Sequence, residues 1–308
     1  MKIIHGYQGL TADQKGATVA LGNFDGVHRG HAAVIEAARN LAPGAPLAVV
    51  SFDPHPRAFF QPDADPFILT PLTEKAEKIK DLGVDRLHIL NFDAALSAMT
   101  PEVFVQDVLV DGLGVVGVST GNDFRFGANR TGDTQVLQKL ATQFGFKTEA
   151  LPEVCDESGG MFSSSAAREA LQQGRLEDAE TILSGPHRIS GAVLKGDQRG
   201  RTIGFATANL SLDGILAPAF GVYAISATLP DGRVLKGVAN IGLRPTFEKT
   251  VPILEAHLFD FSEDIYDQTL SVALHHFLRA EQKFDGIDAL KAQIAKDAAS
   301  ARGLLADV

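Results

Sequence analysis

The chain has 308 residues, 45% of them hydrophobic and 21% charged, and a formal charge of −10, the composition of an ordinary globular protein with room for about two domains. That charge disfavours a broad nucleic-acid surface, because phosphate binding without a basic patch works against the overall field. Cys155 is the only cysteine, which excludes an intrachain disulfide or an all-cysteine metal site and fits a reducing cytoplasm.

The opening MKIIHGYQGL lacks the apolar stretch of a secretory signal. Apolar runs such as LGVVGV stop well short of the ~20 residues needed to span a bilayer. The expectation is a cytoplasmic protein without a membrane segment. Over the first 183 residues, the apolar runs TVAL, LAVVSF, RLHILNF and VVGVS alternate with helix-like stretches around residues 29–42, 73–82, 101–110 and 133–143. Nearly continuous apolar strands between amphipathic helices predict a parallel sheet covered on both faces, with ligands at the carboxyl ends of the strands. Residues 164–183 read as two short helices broken at Gly174, and SGP at 184–186 marks the border. The domains expected are 1–184, an α/β unit, and 185–308. The second reads as strands, RISGAVL, GVYAISATL, RVLKGVANIG, ILEAHLFDF and TLSVALHHF, with a hairpin turn at Asp231 and Gly232. Such a pattern predicts a compact β-barrel. Ile287, Leu290 and Ile294 then recur at helical spacing, so a terminal helix should pack on it.

The run VALGNFDGVHRGH at 19–31 places a strand, a glycine-rich turn and two histidines, His28 and His31, where a helix begins. Glycines allow backbone to approach a phosphate closely, and N–H groups at a helix start attract anions. Imidazoles add further donors. The bland reading is a surface helix start with chance histidines, and the strand–turn–helix context argues against it. FSSSAAR at 162–168 has two uses, since Ser163 is equally a helix cap, which residue types alone favour. SFDPHPR at 51–57 is either a stiff proline loop or a ligand contact. Further on, Thr207 and Asn209 put a hydroxyl and a carbonyl oxygen on one face of an extended segment, an arrangement able to ligate Mg²⁺ carried by ATP. Residue types alone favour an ordinary turn and strand edge there.

H-x-G-H on an α/β sheet resembles the nucleotidyltransferase superfamily signature. The strings GNFDGVHRGH, SFDPHPR, GNDFRFGANRTGD (121–133) and FSSSAAR together resemble the prokaryotic bifunctional riboflavin kinase/FAD synthetase family. GVYA (221–224), GVANIGLRPTFE (237–248), LEAHLFDF (254–261) and LRAEQKF (278–284) are similar to its riboflavin kinase module.

The resemblance implies a Rossmann-like nucleotidyltransferase sheet followed by a kinase-type β-barrel and terminal helix. It implies ATP, riboflavin and FMN as substrates, with Mg²⁺ entering with ATP, and FMN and FAD as products. His28 and His31 would stabilise charge as FMN attacks the α-phosphorus. Gly22, Phe24, Asp25, Asp123, Arg125, Ser163, Ser164 and Arg168 would hold that nucleotide, and Asp53, Pro54 and His55 would border the flavin phosphate. In the second domain, Gly204, Thr207 and Asn209 would hold Mg-ATP, Glu255 would deprotonate the ribityl hydroxyl, and Arg279 would face the flavin near Phe284. Three positions depart from the family, the first being Ser165, which stands where threonine is usual and keeps a hydroxyl. Ala166 stands where a basic residue is usual, leaving Arg168 as the motif's only guanidinium, and Ala206 stands where proline is usual. The alternative is a single-activity FAD synthetase whose barrel only binds flavin.

Overall fold

The computed structural model describes residues 1–157, 159–195, 205–245 and 250–307, without the side chains of 244, 245 and 250. Its contacts divide the chain into two compact units, one comprising Met1–Ala64 and Lys75–Ser163, the other Asp65–Glu74 and Ser164–Val308.

The first unit is a six-stranded parallel sheet of β1 (Lys2–His5), β2 (Thr18–Leu21), β3 (Leu47–Asp53), β4 (Arg86–Asn91), β5 (Gly117–Gly121) and β6 (Lys147–Leu151), in the order β1-β4-β3-β2-β5-β6. β2 is buried at every position, as a central strand covered on both faces must be. Its helices are α1 (Arg29–Leu41), α2 (Pro56–Phe60), α3 (Leu72–Asp81), α4 (Ala94–Ser97), α5 (Pro101–Val103) and α6 (Thr134–Phe144). α6 shows the local rules: Asp133 caps it by accepting from Val136 N, Leu137, Leu140 and Ala141 form its buried stripe, and Gly145 ends it at φ 81°. The helix expected at 101–110 begins as α5 and continues as a π-helical stretch over Phe104–Gly112. Two strands, β1 and β6, add to the expected pattern.

The second unit contains α7 (Ser164–Gln172), α8 (Leu176–Leu183) and an antiparallel sheet of β7 (His187–Ala192), β8 (Ala208–Ser211), β9 (Gly221–Thr228), β10 (Val234–Pro245), β11 (Thr250–Leu258) and β12 (Thr269–Ala280), ordered β7-β12-β9-β10-β11-β8. A bridge between Leu194 and Asn209, with Leu194 N donating to Asn209 O at 2.8 Å, joins its two edges into a nearly closed barrel. Alternate residues such as Tyr223, Ile225, Leu254 and Ala256 fill the interior. The turn at Asp231 and Gly232 connects β9 to β10 as expected, with Gly232 at φ 87°. Leu69, Leu171, Leu176 and Leu183 belong to the same core. The division by contacts thus falls before the border read from composition, because α7, α8 and residues 65–74 bury their apolar side chains with the barrel.

The terminal helix, Ile287–Leu304, packs on the barrel, with Ala301 and the following Leu305 against Ala224, Val238 and Phe259. The face differs from the one expected. Ile287 is exposed, and the buried stripe runs through Asp297 and Ala301.

Candidate active sites

In the first unit the strand order reverses between β2 and β5, the point at which open α/β sheets form a ligand crevice at the strands' carboxyl ends. The turn after β2 carries Gly22, Phe24, Asp25 and the two histidines. His28 is the N-cap of α1: its Nδ1 accepts from His31 N at 3.3 Å, and His31 Nδ1 accepts from His28 N at 3.3 Å. The rings stack with centroids 3.6 Å apart. With both Nδ1 atoms accepting, the hydrogen bonds assign the proton of each neutral ring to Nε2, which makes that edge a donor. The intervening Gly30 sits in close quarters: a Cβ there would come within 3.0 Å of the His28 ring and of Phe162 O, tighter than an ordinary contact.

The turn itself is strained. Phe24 has φ 51° and Val27 φ 47°, a left-handed conformation costing on the order of 1–3 kcal/mol in residues other than glycine. Lys75 Nζ donates to Asn23 O at 2.9 Å and to Ser51 Oγ at 3.4 Å; Ser51 Oγ donates to the same carbonyl at 2.9 Å; Lys78 Nζ donates to Gly26 O at 3.2 Å. Lys75 is buried, and desolvation holds its ammonium below the usual lysine range, opposed by the charges of Asp25 and Asp53.

Asp123 and Arg125 are exposed on the loop after β5, the neighbour of β2. A Cβ on Gly121 would meet Asp123 Oδ1 at 2.9 Å, and Arg125 Nη1 donates to Phe124 O. Asp53, Pro54 and His55 follow β3, with His55 capping α2 by accepting from Arg57 N. Beside them Phe52, Phe59, Phe60 and Phe92 form an edge-to-face cluster at the ends of β3 and β4, and Phe60 is 64% exposed. Ser163 closes the first unit, whereas Ser164 and Arg168 lie on α7 in the second. There Arg168 Nε donates to Phe67 O at 2.8 Å and its guanidinium lies over the Phe67 ring.

In the barrel, Glu255 of β11 stands in register between Asn209 of β8 and Asn240 of β10, so the three side chains share one sheet face. Their chain neighbours Ala208, Leu254, Ala256 and Ala239 are core residues, which puts this polar row on the barrel's outer face. Thr207 shares a cavity lining with Asn209. Asn209 Oδ1 is buried without a hydrogen-bond partner among the described residues, an oxygen in want of a donor or a hard cation. The loop before β8 is anchored: Ala206 O accepts from His257 Nδ1 at 2.9 Å, and the Phe205 and His257 rings meet edge to face at 5.2 Å. Arg279 is paired with Asp297 of the terminal helix, Nη2 to Oδ2 at 2.8 Å, with its guanidinium 5.7 Å from the Phe284 ring. Gly204 lies outside the described residues. Among the described residues no group of three or more His, Cys, Asp or Glu is arranged to hold a metal.

Comparison with known proteins matches the FAD synthetase family model to residues 10–166 and the riboflavin kinase family model to residues 183–305. The bifunctional riboflavin kinase/FMN adenylyltransferase of Escherichia coli K12 is 42% identical over 98% of this chain and 97% of its own length. The chain belongs to the bifunctional riboflavin kinase/FMN adenylyltransferase family. Relatives with that name from Pseudomonas fluorescens, 41% identical over 99% of this chain and 98% of theirs, and Bacillus subtilis, 38% over 96% and 94%, extend the similarity. A solved structure titled a macrolide-efflux protein, from Streptococcus pneumoniae, has a TM-score of 0.86 at 28% identity, covering 98% of this chain and 99% of that one. No described helix is long and apolar enough to cross a membrane. Because both family regions are present, the chain is a two-activity transferase, riboflavin kinase and FMN adenylyltransferase, and the single-activity alternative is not supported.

Sequence reasoning missed Lys75, Lys78 and Ser51, which hold the β2–α1 turn, and the Phe59, Phe60 and Phe92 cluster. Nothing in TEKAEKIK separates the two turn-binding lysines from solvated ones. The aromatic cluster did carry a signal, two consecutive phenylalanines shortly after SFDPHPR.

Proposed function

We propose that the first unit transfers AMP from ATP to FMN and that the barrel transfers the γ-phosphoryl group of Mg-ATP to riboflavin. The observation that carries the first assignment is the His28–His31 pair at the topological switch point. In adenylylation, an FMN phosphate oxygen attacks the α-phosphorus of ATP, the bond to the β-phosphate breaks, and pyrophosphate leaves with FAD formed. The Nε2–H edges of His28 and His31 and the amides of the turn oppose the charge that builds up on the phosphates. Positioning and electrostatics suffice, and no covalent nucleophile is required. Asp123 and Arg125 hold the nucleotide from the β5 side. Ser163, Ser164 and Arg168 are assigned to the phosphates on family position, and Asp53, Pro54 and His55 border the flavin phosphate, with the nearby phenylalanines supplying ring faces.

In the barrel, Glu255 takes the proton from the ribityl hydroxyl as that oxygen attacks the γ-phosphorus, and ADP leaves. Thr207 and Asn209 ligate the magnesium that arrives with ATP; the orphaned Asn209 oxygen fits a hard cation. The ion supplies charge neutralisation on the phosphates when bound. Arg279, fixed by Asp297, borders the flavin. A cytoplasmic location follows from the demand for ATP and the solitary cysteine. Incubating the purified chain with riboflavin and Mg-ATP tests the whole reading: FMN should appear first and FAD after it. Accumulation of FMN with no FAD would remove the adenylyltransfer assignment.

A further inference from the structure

The two left-handed residues of the β2–α1 turn, Phe24 and Val27, each directly follow a carbonyl held by a lysine of α3: Asn23 O by Lys75 and Gly26 O by Lys78. In a trans peptide the C=O of one residue and the N–H of the next point in opposite directions. Each lysine, in drawing a carbonyl towards α3, therefore turns the following amide N–H away from it. Val27 makes the arrangement conspicuous, because a β-branched side chain at φ 47° persists only where the surroundings enforce it. The spacing agrees as well: Lys75 and Lys78 are three apart on one helix and so share a face, and the carbonyls they hold are also three apart.

We propose that Lys75 and Lys78 are positioning residues for adenylyl transfer, fixing the turn so that the Phe24 and Val27 amides face the ATP phosphates. The inference rests on the reading of this turn as the phosphate site. Neither ammonium touches the nucleotide. Each spends its charge on a backbone carbonyl, and the partial positive charge delivered to the ligand is that of an oriented amide.

The test uses the full chain and follows FAD formation from supplied FMN alongside FMN formation from riboflavin. Lys75→Met and Lys78→Met should each raise KM for ATP in FAD formation about tenfold, the loss expected for one charge-assisted hydrogen bond. KM for FMN and the riboflavin kinase rate should stay as they are. Val27→Gly supplies the decisive arm. Glycine takes positive φ without cost, so Val27→Gly combined with Lys78→Met should recover part of the ATP affinity lost in Lys78→Met. Because Lys78 is half-buried, this pair decides the matter whether or not Lys75→Met folds. An unchanged KM for ATP in Lys78→Met, or strictly additive effects in the double variant, overturns the proposal. His31→Ala separates the two levels. If it keeps FAD formation, the phosphate-site reading falls and the proposal with it; if it loses FAD formation while the lysine variants keep the original KM for ATP, the proposal alone falls.

Discussion

At the scale of single residues, His28 and His31 spend one edge of the ring on structure and, in the proposed adenylyl transfer, offer the other to the phosphates. Nδ1 of each is spent on the helix start, and Nε2 carries the donor. His28→Ala therefore removes a cap worth about 1 kcal/mol together with the proposed phosphate donor. We expect it to abolish FAD formation and to leave FMN formation from riboflavin nearly intact. His28→Asn should restore the cap and the melting temperature but not FAD synthesis; equal loss of both products in His28→Ala would refute the two-site assignment. Glu255→Gln, which changes volume little and removes the proposed base, should stop FMN formation while supplied FMN is still converted to FAD. A fully active variant would show that another group takes the proton. Ala206 is the milder case. Its carbonyl is already held by His257 and its neighbour Phe205 packs on the same ring, so Ala206→Pro adds only a loss of unfolded-state freedom, about 0.4–1 kcal/mol. Mg-ATP affinity in the kinase reaction should rise no more than a few-fold, and a loss of affinity would mean that proline distorts the loop.

Among the elements, β4 carries a charge-state liability in its interior. His88 is buried there, and desolvation, the largest influence, holds its pKa below the ordinary 6.5. Below that value the unfolded chain takes up a proton that the folded strand refuses. The stabilising contribution is thus complete above pH 6.5 and is lost as the pH falls through the lower folded-state value. His88→Leu should flatten the decline of Tm with pH on the acid side; an unchanged slope would place the acid sensitivity elsewhere. The same sheet shows what was legible beforehand. β2, β3, β4 and β5 are interior strands, and their apolar runs marked them. β1 and β6 are edge strands with mostly exposed or half-buried residues, so they carry little apolar signal. The terminal helix was visible by its period, but its buried face turns on Asp297, whose partner Arg279 is supplied by a strand well before it in sequence. H-x-G-H was readable as a helix start because its hydrogen bonds are local, whereas the grip of Lys75 on Asn23 O exists only once α3 has folded against the turn.

On the scale of the whole molecule, the order of residues in the chain is not the order of the compact units. Residues 65–74 precede three of the six strands of the parallel sheet, yet Leu69 is buried in the barrel's core, Leu216 N donates to Ile68 O at 2.9 Å, and Glu74 accepts hydrogen bonds from Ser190 and Ser271. Leu69→Ala should accordingly cost about 2–5 kcal/mol, and the activity that becomes heat-labile should be FMN formation, although the residue lies in the N-terminal third of the chain. Preferential heat loss of FAD formation would show that Leu69 serves the other unit. The interleaving also sets a timetable for synthesis. Ribosomes deliver residues 65–74 early, before any barrel strand exists to receive them, and the core that holds Leu69 is complete only after the barrel strands have emerged. A parallel sheet that forms during synthesis therefore does so while the apolar side chains of residues 65–74 still lack the barrel that will cover them.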